Sequence, residues 1–135
     1  MRPIKFRGMN KSRESWFYGS LTFYGETPFI VGPVVESCEE YIAFEFWNPV
    51  DPETVGEFTG LRDKNGKEIY EGDIAFDDGG KVEGIRYMGV IVFGEWNGSA
   101  MFYLNTSIFG TPERLMLTKH TQVLGNIYEN PELLK

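Results

Sequence analysis

Thr59-Gly60-Leu61-Arg62-Asp63-Lys64-Asn65-Gly66-Lys67-Glu68-Ile69-Tyr70-Glu71-Gly72-Asp73 is the stretch whose reading decides the fold. Thr59 to Leu61 extends a strand from Phe58. Asp63-Lys64-Asn65-Gly66 is strongly turn-forming, because Asn and Gly accept positive φ at little steric cost. Ile69-Tyr70 is a short return strand. Glu71-Gly72-Asp73 turns the chain again, into Ile74-Ala75-Phe76. Strand, polar turn, short strand and second turn are the pattern of an antiparallel β protein.

Toward the C-terminus the pattern repeats. Asp77-Asp78-Gly79-Gly80 is a further turn. Val82, Ile85 and Tyr87 lead into Met88-Gly89-Val90-Ile91-Val92-Phe93, a continuous apolar run that predicts a fully buried strand. Asn97-Gly98, between Trp96 and Ala100-Met101-Phe102-Tyr103-Leu104, is a strong hairpin signal. Leu115-Met116-Leu117 and Val123-Leu124 supply late strands. About five short strands after Glu71 suit a small SH3-like barrel over residues 59–135, ending in a C-terminal tail. An open antiparallel sheet is the alternative.

Toward the N-terminus, residues 1–58 predict a second, smaller β layer. Ile4 and Phe6 alternate with Lys5 and Arg7, which predicts a strand with one buried face. Trp16, Tyr18, Leu21 and Phe23 form its hairpin partner, with a bulge at Gly19-Ser20. Gly32 breaks Phe29-Ile30-Val31 from Pro33-Val34-Val35, as in an irregular or edge strand. Tyr41-Ile42-Ala43-Phe44-Glu45-Phe46-Trp47 reads as a buried strand. Asp51-Pro52-Glu53, Thr111-Pro112-Glu113 and Asn130-Pro131-Glu132 each set a capping side chain before a proline, and each predicts a single-turn helix. The fold class is therefore all-β, mainly antiparallel, with a few single-turn helices.

The totals agree. A chain of 135 residues suits one domain or two small subdomains, divided here as 1–58 and 59–135. Its 16% aromatic content and 16 glycines favour short strands and turns. Residues 1–35 carry five basic and two acidic groups, residues 36–78 three and thirteen, and residues 79–135 five of each. The net charge of −7 is thus concentrated in the middle. Duplex DNA binding needs clustered Lys and Arg, and an acidic middle repels phosphate; its carboxylates either solvate loops and strand edges, the favoured reading, or attract a basic protein surface. The charged N-terminus has no apolar block after it and is read as no signal peptide. No stretch approaches the roughly 20 apolar residues that span a bilayer. The expected setting is soluble and cytoplasmic.

Val50-Asp51-Pro52-Glu53-Thr54-Val55-Gly56-Glu57-Phe58, with Thr59 to Asp73 after it, resembles the central block of the YopX family. Ile4-Lys5-Phe6-Arg7 and Val123-Leu124-Gly125-Asn126-Ile127-Tyr128-Glu129-Asn130-Pro131-Glu132-Leu133 resemble that family's two ends. The resemblance implies a mostly β protein encoded by a bacteriophage or prophage and acting in a host bacterial cytoplasm. It implies no assigned activity and no catalytic residues.

Candidate chemistry is sparse. Cys38 is the only cysteine and His120 the only histidine, and the carboxylates around Cys38 disfavour a thiolate. Asp73, Asp77 and Asp78 match no calcium loop, and Asp73 reads as a turn carboxylate that accepts backbone amides. No phosphate-binding glycine pattern opens a helix. No catalytic, cofactor or metal site is assigned. The candidate binding residues are aromatic: Trp16, Tyr18, Tyr87, Trp96 and Tyr103; core is the favoured reading for any one of them, and those left at the surface could stack single-stranded nucleic acid or anchor a protein. The sequence therefore favours a non-enzymatic module that binds a host or phage protein, or a second copy of itself. The alternatives are a single-strand-binding barrel and, behind it, a metal-dependent hydrolase.

Overall fold

A computed structural model describes residues 3–78, 87–109 and 114–134. The chain divides into two compact units, residues 1–58 and 59–135. The described structure is all-β with antiparallel pairing, and its helical pieces are single 3-10 turns.

The first unit contains β1 (Phe6–Met9), β2 (Trp16–Tyr24), β3 (Thr27–Val31), β4 (Val34–Ser37), β5 (Ile42–Phe44), β6 (Trp47–Pro49) and the start of β7 (Gly56–Arg62). Its main strands lie in the order β6-β3-β2-β1-β7, and β4 pairs with β5 alone. β2 turns one half to each neighbour: Trp16 to Gly19 face β1, and Ser20 to Tyr24 face β3. No bulge interrupts it at Gly19-Ser20. Glycine is needed there for a different reason, since a Cβ on Gly19 would lie 2.2 Å from the Val31 carbonyl oxygen. β3 is not an edge, having β2 on one side and β6 on the other. Ile4 lies outside β1 and is exposed, whereas Arg7 is buried with its guanidinium 4.4 Å from the Trp16 ring centre.

Asp51 caps the 3-10 turn Pro52–Thr54 by accepting the Glu53 amide at 3.0 Å. Buried Thr54 then accepts the Met9 amide at 2.9 Å and donates to the Asp51 carbonyl at 2.7 Å, binding this turn to β1. Val50, Met9 and Ile30 are fully enclosed.

The second unit holds the rest of β7, then β8 (Glu68–Tyr70), β9 (Asp73–Asp77), β10 (Tyr87–Trp96), β11 (Ser99–Asn105), β12 (Arg114–Leu115) and β13 (Thr121–Asn126). Five strands form a sheet in the order β12-β11-β10-β9-β13. Among the described residues this sheet does not close on itself. β12 and β13 end its strand order without pairing to each other, so the expected SH3-like barrel is an open sheet instead. Ile69, Ala75, Ile91, Leu104 and Val123 make its core, with Tyr87, Leu115 and Leu117 packed against them. β10 is not buried throughout: Gly89 and Ile91 are covered while Phe93 is 51% exposed. These three residues alternate onto one face, so cover is lost along the strand, and its apolar run reflects β propensity as much as burial. Met116 likewise falls outside β12 and is exposed.

The Asn97-Gly98 hairpin forms as read, with φ of 54° and 80° and Trp96 opposite Ser99. The turn Pro131–Leu134 also forms, but Asn130 does not cap it. Its Oδ1 accepts the Asn126 amide, so the side chain closes the preceding turn. A third 3-10 turn, Ser107–Phe109, has no sequence signal of the Asx-Pro kind. Thr111-Pro112-Glu113, Gly79-Gly80, Val82 and Ile85 lie outside the described residues.

Candidate functional site

Two hairpins of the first unit build the site. The first joins β2 to β3 through Gly25, whose φ of 62° suits glycine, with Tyr24 opposite Thr27. The second is a long bent arm. β3 and β6 pair from Phe29↔Pro49 to Val31↔Trp47. The Gly32 amide then donates to the Phe46 carbonyl and the Glu45 amide to the Pro33 carbonyl, both at 2.9 Å. Pairing resumes between β4 and β5, from Val34↔Phe44 to Ser37↔Ile42, with a register shift between Val34 and Glu36. The Cys38 amide closes the tip on the Tyr41 carbonyl.

The arm bends at Gly32-Pro33 for a steric reason. A Cβ on Gly32 would lie 2.4 Å from the Phe46 ring, so only glycine lets that ring pack over the backbone. Proline next to it has no amide to donate. Beyond the bend, Ile42, Ala43 and Phe44 face Thr22, Phe23, Tyr24, Phe29 and Val31 across a cavity of about 570 Å³, with Trp47 completing the lining. Phe29 and Trp47 hold ring centres 5.5 Å apart. Tyr24, Trp47 and Phe23 are 83%, 66% and 61% exposed, so the groove opens to solvent. Monomeric proteins rarely leave so many large apolar side chains together at the surface.

This corrects the reading of Tyr41 to Trp47 as one buried strand. The run is two short strands with a bend between them, and its apolar residues line an open groove. The groove lining is aromatic and aliphatic apart from the hydroxyls of Thr22 and Tyr24. At the arm, the Tyr41 hydroxyl donates to Glu36 at 2.6 Å, and this bond raises the phenol above its ordinary pKa.

The five aromatics singled out from the sequence fall into two sets. Trp16 and Tyr18 stand in the first unit on β2, and alternation puts them on the same strand face as Thr22 and Tyr24 of the groove. Tyr87, Trp96 and Tyr103 stand in the second unit. Tyr103 is buried between Trp96, whose ring centre is 5.9 Å away, and the Arg114 guanidinium at 5.4 Å. Tyr87 packs on the core and borders a smaller cavity with Asp77, Thr118 and His120.

The acidic candidates have backbone and hydroxyl partners. Asp73 is buried and accepts the Tyr70 amide at 2.8 Å, and Asp77 accepts the Thr118 hydroxyl at 2.8 Å. Among the described residues no group of three or more His, Cys, Asp or Glu side chains is placed to hold a metal ion. Cys38 is exposed at the arm tip in the first unit, and His120 belongs to the second.

The groove residues Phe23, Tyr24, Phe29, Ile42, Phe44 and Trp47 were not candidates on sequence grounds. The usable local signal was Gly32-Pro33, which marks the bend of the arm.

A family model described as YopX protein matches residues 5–135. Comparison with curated proteins gives no match. Among solved structures, the chain is similar to protein EF1440 from Enterococcus faecalis, with 24% identity, a TM-score of 0.59 and both chains covered completely. At that identity the likeness concerns the fold.

Proposed function

The chain belongs to the YopX family, and from that premise we propose that it is a non-enzymatic protein-interaction module docking its partner in the groove between the β2–β3 hairpin and the bent arm. One observation carries this reading: a solvent-open groove of about 570 Å³ lined by aromatic and aliphatic side chains. Aromatic anchors dominate protein-binding hot spots, and the lining lacks the charged groups that catalysis uses. The setting proposed with it is that of a phage or prophage accessory protein in a bacterial cytoplasm, as the family resemblance implies.

Single-strand nucleic-acid binding has less behind it. The five aromatics are shared between two units, and no Lys or Arg lines the groove. Hydrolysis through Asp73 and Asp77 competes with the hydrogen bonds those carboxylates already accept.

The test is affinity capture from a bacterial lysate with the wild-type chain and with Phe44→Ser/Trp47→Ser in parallel. Both residues are exposed, and circular dichroism of the variant is expected to match the wild type. A protein retained by the wild type and lost by the variant supports the groove. Identical capture by both overturns it.

A further inference from the structure

Between Arg13 and Arg62 the chain has no lysine, arginine or histidine, while nine carboxylates occur in the same interval. Both hairpins that wall the groove fall inside it. They carry Glu26, Glu36, Glu39, Glu40 and Glu45, all exposed. Glu36 stands directly opposite Ala43, on the face of the arm that alternates with the face of Ile42 and Phe44. The two hairpins thus contribute charge of one sign only, and the cation nearest them, Lys5, borders a separate cavity with Val31, Gly32 and Pro33 at the bend. Within the roughly 8 Å over which charges act at physiological ionic strength, such charge favours cationic partners and repels anionic ones.

The groove also has a strand edge. β6 ends its sheet order, and β5 pairs only with β4. Among the described residues, 42–49 therefore have no strand on their outer side. An extended segment added to such an edge sends alternate side chains to opposite faces.

Resting on the reading above, we infer that the groove takes an extended basic segment of another protein in which Arg or Lys alternates with large apolar side chains. The apolar set fills the pocket among Phe29, Phe44 and Trp47. The cationic set meets Glu36, Glu39, Glu40 and Glu45. A volume of about 570 Å³ lies within the roughly 300–1,000 Å³ typical of compact ligand sites, enough for a few large side chains rather than a whole helix face. A second copy of this chain fits less well, because its own groove hairpins carry only negative charge.

The experiment uses the full chain and four labelled probes followed by fluorescence anisotropy: a 12-residue peptide of alternating Arg and Leu, the same peptide with Glu for Arg, a poly-dT oligonucleotide, and anionic phospholipid vesicles. Only the Arg–Leu peptide is expected to bind, more weakly as salt is raised. Its affinity is expected to fall about tenfold in Glu36→Gln/Glu39→Gln/Glu40→Gln/Glu45→Gln, and again in Trp47→Ser. Equal binding of the Glu–Leu peptide, or wild-type affinity in both variants, overturns the basic-segment inference while leaving protein docking standing. A dimer by light scattering that Trp47→Ser dissolves, with no peptide bound, overturns it in favour of a second copy. Binding of the oligonucleotide or the vesicles alone overturns both readings, and so does failure of every probe from a monomer whose lysate capture is also groove-independent.

Discussion

Asp63 makes more of the signature turn than any other side chain. Its Oδ1 accepts the Asn65 and Lys67 amides, both at 2.9 Å, and its Oδ2 accepts the Val123 amide at 3.0 Å. Burial pushes the carboxyl up, but the amides of Val123, Lys67 and Asn65 outweigh it and hold the carboxyl below its ordinary pKa. A carboxyl lowered by folding stabilises the protein above its unfolded value, about 3.9, and loses that contribution as pH falls through the lower folded value. Asp63→Asn cannot present two acceptor oxygens and leaves the Val123 amide poorly matched. It is expected to cost about 1–3 kcal/mol at pH 7, with the gap to wild type closing below about pH 4. Urea melts across pH check this, and a gap that does not narrow in acid would refute the assignment. In the first unit, Thr54→Val removes the acceptor of the Met9 amide while keeping shape. A similar loss of about 1–3 kcal/mol is expected in the same assay.

At the scale of elements, the turn Asp63 to Gly66 covers the free edge of a strand. β13 ends the order of the second sheet, and along its outer side the Lys64 amide donates to the Thr121 carbonyl while Asp63 accepts from Val123. An edge met this way is blunted as a template for further strands. Gly72 adds a second tie, donating to the Ile91 carbonyl and accepting from the Ile127 amide. The fifteen residues from Thr59 to Asp73 were legible as turns because Asn65-Gly66 and Gly72 carry that information locally. What they clasp was not legible, since β13 is some sixty residues away in sequence (Asp63 to Val123 spans 60). The Asn97-Gly98 hairpin was legible for the same local reason, and Gly98→Val, at φ of 80°, is expected to destabilise by about 1–2 kcal/mol. Gly19→Ala is a sharper case. Its Cβ would meet the Val31 carbonyl backbone, so β2 and β3 must part, and loss of protected amides at Ser20 and Val31 in hydrogen exchange is the expected outcome.

Over the whole molecule, the all-β class and the family were legible, whereas the burial of individual strands was not. Tyr41 to Trp47 and Met88 to Phe93 are both apolar runs, and composition alone cannot tell a core strand from the wall of an open groove. The difference is made by Gly32-Pro33, which bends one of them away from the sheet. An exposed apolar surface on a chain of net charge −7 and pI near 4.7 is kept apart from its copies by repulsion that vanishes near that pH. Light scattering is expected to rise steeply as pH approaches 4.7 and to rise less for Phe44→Ser/Trp47→Ser. The interval from Arg13 to Arg62 that lacks cations has one more consequence, for anyone who digests the protein. Trypsin finds no bond to cut there, folded or unfolded, so residues 14–62 leave as a single peptide with the arm and groove intact in its mass. Lysine-directed cross-linkers pass the same region by, and the lone thiol of Cys38 at its tip is the natural handle for labelling it.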